Sequence, residues 1–64
     1  SEKPIAIGNH VWIGADTTLL KGSVVKDNSI IATKAVVTKA FDEENVVIGG
    51  FPATIIERGI NWEK

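Results

Sequence analysis

With 64 residues and a net charge of −1 from seven basic and eight acidic side chains, the chain allows one small domain and offers no basic stripe for nucleic acid. It has no cysteine and one histidine, which excludes disulfides, thiolate metal sites and a self-contained histidine-rich metal centre. Apolar stretches such as Val46-Val47-Ile48 are far too short for a bilayer-spanning helix, and no secretory signal is visible. A core of this size rarely supplies more than about 3–5 kcal/mol without a staple. The remaining staple is association or further chain, and the sequence begins at Ser1 without any methionine.

From Ile7 onward every sixth residue is aliphatic: Ile7, Ile13, Leu19, Val25, Ile31 and Val37. A period of six fits neither an amphipathic helix nor one alternating strand; it fits a short strand, a corner and another short strand, repeated. The units are 7–12, 13–18, 19–24, 25–30 and 31–36, with a decaying sixth from Val37. The fifth position reads Val11, Thr17, Ser23, Ser29, Ala35 and becomes small after the first unit, as a narrow interior requires. The middle positions hold Gly8-Asn9, Gly14-Ala15-Asp16 and Lys26-Asp27-Asn28, residues that tolerate positive φ and bond locally at sharp corners. Side chains alternate along a strand, so the sixth position points outward: Trp12, Thr18, Val24, Ile30, Val36. A mostly apolar outward row predicts a buried contact surface.

After the repeat, residues 41–45 form a polar loop and Val46-Val47-Ile48 one more short strand, broken by Gly49-Gly50. Pro52 suits the first turn of a short C-terminal α-helix running to about Arg58, with Gly59 as its stop. Ile55, Ile56, Ile60 and Trp62 give this tail an apolar side that packs on the repeat. The organisation is therefore residues 1–48 as repeat coils, incomplete on the N-terminal side, and residues 49–64 as a turn and helical tail.

Three ordered blocks, "IGNHVWIGA" at 7–15, "DNSIIATKAVVTK" at 27–39 and "VVIGGFPATII" at 46–56, resemble the hexapeptide-repeat acyltransferases, in particular sugar O-acetyltransferases of the maltose, galactoside and capsular-polysaccharide type. The resemblance covers nearly the whole chain. It implies an all-β fold, a left-handed parallel β-helix with triangular coils, an exception to the usual right-handed crossover. Residues 18 apart then stack about 4.8 Å apart. Trp12 falls under Ile30, Ala15 under Thr33, and Lys21 under Lys39, with Lys3 extending that last column below. About two coils are present where solenoids need about three repeats, and a raw first coil leaves backbone unpaired. Further coils are expected upstream.

The resemblance further implies acetyl-CoA as co-substrate, a saccharide hydroxyl as acceptor, a homotrimer with active sites between subunits, no metal and a cytoplasmic location. A His acts as general base in the family, shortly upstream of the segment matching Glu2-Lys3-Pro4, so no catalytic residue is expected in this chain. His10 reads instead as an exposed corner residue. Ala15 and Thr33 occupy corners whose backbone contacts the pantetheine arm, a role in which side-chain identity matters little. Thr38 and Lys39 match residues beside the 3′-phosphate of CoA, where Lys supplies a point charge. Stacked Lys21 and Lys39 would repel unless a polyanion lay on them. Trp12 matches a cleft wall near the acyl group or acceptor sugar, or packs in the trimer.

The sequence departs from the family at Thr54 and Glu57, where basic residues are common. Arg58 remains as a candidate phosphate contact. Ser23 and Ser29 fill small inward positions and are not nucleophiles. The leading reading is the C-terminal part of a CoA-dependent O-acetyltransferase. The alternative is a catalytically silent β-helix for trimerisation or scaffolding, which the thinned basic cluster favours. A metalloenzyme of the γ-carbonic-anhydrase type needs several histidines, and only His10 is present.

Overall fold

In a computed structural model, residues 3–63 are described; Ser1, Glu2 and Lys64, at the ends of the two expected segments, lie outside them. Six two-residue strands come first: β1 (Ala6–Ile7), β2 (Trp12–Ile13), β3 (Thr18–Leu19), β4 (Val24–Val25), β5 (Ile30–Ile31) and β6 (Val36–Val37). Two longer strands follow, β7 (Val46–Gly50) and β8 (Ala53–Arg58). The first strands pair in parallel at an offset of 18 residues: Ala6 with Val24, Trp12 with Ile30, and Thr18 with Val36. Three parallel sheets result, one per face of a three-sided coil, so the repeat builds a parallel β-helix.

The corners have a common backbone geometry. His10, Asp16, Gly22, Asn28 and Lys34, each six residues apart, all take positive φ between 56° and 85°. Gly, Asn, Asp and His are the residues that enter this region most readily, and four of the five positions use them differently to the same end. Lys34 is the departure, a long side chain at φ 65°.

The aliphatic residues of the six-residue period point inward and stack by coil. Val25 and Ile31 are 1% and 0% exposed, whereas Ile7 and Ile13, at the same positions one coil below, are 37% and 44% exposed. Burial therefore comes from the coil on either side, not from the strand's own sequence. The core gathers Val25, Ile31, Ala35, Val37, Phe41, Val46, Ile48 and Ala53. Ser23 and Ser29 are fully buried beside it. The Ser23 hydroxyl bonds the carbonyls of Leu20 and Val37, and Ser29 Oγ accepts the amide of Val46 at 3.3 Å. Both are structural, with their polar atoms satisfied in the interior.

Above Val37 the coil shortens. Ala40 bridges Val24 at an offset of 16, and β7 lies on β5 at an offset of 17, Val47 on Ile30. The expected column of Lys21 and Lys39 loses its register there. Below it the column does hold, since the amide of Gly22 bonds the carbonyl of Lys3 at 3.1 Å.

The expected C-terminal helix is not formed. Residues 53–58 are strand β8, which turns back through Phe51–Pro52 and pairs antiparallel with β7, completing a sheet in the order β2-β5-β7-β8. No helix occurs among the described residues. Two physical causes outweigh the helix-start signal of Pro52. The run Thr54-Ile55-Ile56 is β-branched throughout, and such side chains prefer a pleated surface. The upper edge of β7 would also present unpaired amides and carbonyls without a covering strand. A bulge between Val47 and Ile48 leaves Ile56 opposite no partner and largely exposed.

Candidate functional site

The three faces of the coil meet at three corner columns, and the candidate residues are distributed over all of them. The corner between β2 and β3 stacks beneath the corner between β5 and β6. It carries Ala15 and Thr33, both exposed, with the Ala15 carbonyl accepting the amide of Lys34 at 2.9 Å. Gly14 makes the close stacking possible. A Cβ there would stand 2.7 Å from the Thr33 nitrogen and 3.0 Å from the Ile31 oxygen, so a side chain cannot fit without moving backbone. The upper end of this column is Gly49, buried against Ala32, with Thr54 paired beside it.

Thr38 and Lys39 follow β6 and lie at the next corner, where the coil shortens; both are exposed. Lys39 Nζ sits 5.4 Å from the ring centroid of Phe41, a cation–π contact with a buried ring. Thr38 and Lys39 are thus separated from Ala15 and Thr33 by the short face of β3 and β6.

Arg58 lies elsewhere. It ends β8 opposite Val46, at the corner where β7 begins, so the β7–β8 pair sets it across the sheet from Thr54. Its guanidinium donates to Glu43 through Nε at 2.9 Å and Nη2 at 3.3 Å. That hydrogen bond, and then the carboxylate's charge, raise its pKa further above the ordinary arginine value. The structure brings Ala15 and Thr33 together, and it does not bring Arg58 to them. Among the described residues no group of three His, Cys, Asp or Glu side chains is placed to hold a metal ion.

The corner that carries Arg58 is a column of its own. His10, Asn28 and Asn45 lie there at successive levels, each with positive φ, of 56°, 63° and 60°. The Asn28 amide bonds the Asn9 carbonyl at 3.0 Å, and the Asn45 amide bonds the Asp27 carbonyl at 3.1 Å. Asp27 also accepts the Asn9 amide at 2.7 Å, closing the corner. His10 Nδ1–H donates to Asn28 Oδ1 at 2.9 Å. The tail after β8 runs down this column. Ile60 and Asn45 bond twice, amide to carbonyl at 3.0 Å and Asn45 Nδ2 to the Ile60 carbonyl at 3.2 Å. Trp62 then lies flat on His10, with ring centroids 4.0 Å apart and planes 5° from parallel, and its Nε1–H donates to the Asn28 carbonyl at 3.1 Å.

Between this tail and the outward row of the sheet lies a cleft of about 410 Å³, lined by Trp12, Ile30, Trp62 and Glu63. Trp12, the predicted cleft wall, is stacked under Ile30 and 48% exposed. Sequence reasoning placed Trp62 only as part of an apolar tail. Its position on His10 joins residues 52 apart in sequence, and no local pattern announces such a contact.

Residues 4–39 match the family described as bacterial transferase hexapeptide (six repeats). This chain belongs to that family. The galactoside O-acetyltransferase of Escherichia coli (strain K12) is 45% identical over 58 residues, covering 91% of this chain and 28% of that protein. Among solved structures, a maltose O-acetyltransferase from Clostridium difficile 630 superposes with a TM-score of 0.84 at 35% identity, over 94% of this chain and 31% of that one. A galactoside acetyltransferase in complex with coenzyme A gives a TM-score of 0.82 at 41% identity, over 88% of this chain and 28% of that one. The chain therefore spans less than a third of the length of each of these hexapeptide proteins.

Proposed function

We propose that this chain is the cofactor-holding end of an acetyl-CoA-dependent O-acetyltransferase that acts on a saccharide hydroxyl. In this reading the coils wind left-handed, three copies associate, and the enzyme works in the cytoplasm, where acetyl-CoA is made and used. The observation that carries the reading is the Ala15–Thr33 corner. Two exposed corners stack there with small side chains, held close by Gly14, and present backbone groups to solvent. A pantetheine arm with two amides needs such partners and little else. Lys39 at the next corner supplies a positive charge for a phosphate. Similarity to an acetyltransferase with bound coenzyme A supports the same assignment.

The chemistry joins the sugar oxygen to the acetyl carbon and breaks the carbon–sulfur bond of the thioester. A general base takes the hydroxyl proton, and the departing thiolate is reprotonated. His10 is not assigned as that base, because it lies before β2, at the opposite end of that strand from the Ala15–Thr33 corner proposed for the cofactor. The base in this reading is a residue that this chain does not supply. Trp12 forms a wall for the acceptor, and it also belongs to the outward row that packs between subunits.

A second reading, a silent β-helix used for assembly, draws support from Arg58. Its charge is held by Glu43 on a different corner from Ala15, and neither Thr54 nor Glu57 replaces it. Calorimetric titration of the full protein with acetyl-CoA decides between the two. Saturable binding below millimolar concentration is expected; no heat of binding at millimolar cofactor overturns the transferase reading.

A further inference from the structure

We infer that Trp62 and Glu63 form the second wall of the cleft over Trp12 and Ile30, and that this cleft takes a saccharide ring, with His10 as the residue that positions the wall. The identity of the occupant rests on the proposed acetyl transfer to a saccharide; the wall itself rests on geometry alone.

The cleft is lined by two tryptophans, an isoleucine and Glu63, and its surface is mostly apolar. Its volume of about 410 Å³ lies within the roughly 300–1,000 Å³ common to small-molecule sites. A sugar ring matches this lining on two counts. Its C–H face is apolar and packs on an indole, and its edge carries hydroxyls that donate to a carboxylate. The anionic end of CoA matches it poorly, because Glu63 opposes a phosphate. The Ala15–Thr33 corner is moreover at the opposite end of β2 and β5 from His10 and Asn28.

Trp62 is held as a fixed wall. One indole face is covered by the His10 ring, its N–H is bonded to Asn28, and the preceding Ile60 is bonded twice to Asn45. The plane of Trp62 is thus set by the His10 ring, which Asn28 orients in turn. Trp62 lines the cleft together with Trp12 and Ile30. His10, which looks like an idle corner residue in the sequence, becomes a support for acceptor binding without touching the acceptor.

The test uses the full protein with methyl galactoside, maltose and chloramphenicol, the last an alcohol that is not a sugar. Wild-type tryptophan fluorescence should change saturably with a sugar in the absence of acetyl-CoA. Trp62→Ala should abolish that change and raise the acceptor KM at least tenfold, with the acetyl-CoA KM within twofold of wild type. Trp62→Phe should recover most of the acceptor affinity, and His10→Ala should move the acceptor KM in the direction of Trp62→Ala. An unchanged acceptor KM in Trp62→Ala, or equal rises in both KM values, overturns the proposal. A larger fluorescence response to chloramphenicol than to either sugar overturns the saccharide assignment. Should wild type fail to bind acetyl-CoA, the transferase reading falls. The sugar titration still judges the cleft, with a saturable signal lost in Trp62→Ala supporting it and no signal overturning it.

Discussion

Gly14 passes so close beneath Thr33 that a Cβ on it would lie 2.7 Å from the Thr33 backbone nitrogen. That single approach lets two exposed corners stack as one continuous surface, the surface assigned to the pantetheine arm. Gly14→Ala must push backbone against backbone, with no flexible side chain to yield. The cost should be about 1–3 kcal/mol, as for overpacking of a tight site. We expect a lower melting temperature and a weaker acetyl-CoA titration from the same variant, because the corner that moves is the corner proposed to bind. A full-affinity Gly14→Ala protein would remove this corner from the cofactor site.

Ile31 is fully buried between Ile13 below and Ile48 above. Ile31→Ala should cost about 2–5 kcal/mol and Ile31→Val about 0.5–1.5 kcal/mol, measured by chemical denaturation. A narrow three-sided interior has few neighbours able to collapse into the gap, so the alanine value should fall in the upper part of its range.

Lys34 holds φ at 65° without the local bonding that Asn or Asp offers at that geometry. The other corners of the same series use His, Asp, Gly and Asn. Lys34→Asn should raise stability by about 0.5 kcal/mol, a fraction of the left-handed penalty of roughly 1–2 kcal/mol. Thermal melts of the two proteins at equal concentration check the sign.

Lys39 is the cation proposed to meet a phosphate of CoA, and its ammonium rests over Phe41. Lys39→Ala should weaken CoA about tenfold, the effect of losing roughly 1.4 kcal/mol, which is near the lower limit for a bond to a charged group. Dephospho-CoA should lose far less. Equal losses for the two ligands would show that Lys39 does not meet the 3′-phosphate.

Glu43→Gln releases Arg58 from its carboxylate partner. Because Arg58 ends β8 at the corner of His10 and Asn28, rather than at that of Ala15 and Thr33 or that of Thr38 and Lys39, acetyl-CoA affinity should not change. A gain in affinity would place Arg58 in the phosphate site after all.

The repeat is legible in the amino-acid sequence alone. A six-residue period of aliphatics fixes which residues point inward, and an 18-residue coil fixes which residues stack, because both are regular and local. Trp12 under Ile30 and Ala15 under Thr33 follow from counting. The match of residues 4–39 to the hexapeptide family covers that regular part. Where regularity ends, packing in space sets the structure. The offset fell from 18 to 16 and then 17 as the chain cut a corner into the polar loop, and Lys39 left its column. Residues 53–58 became a strand because β7 offered an open edge, although their β-branched run was a signal already present in the sequence. Trp62 met His10 only because that hairpin returned the tail to the first corner column. A hydrogen-bonding edge and a ring stack are partners chosen in space. No periodicity along the chain encodes them.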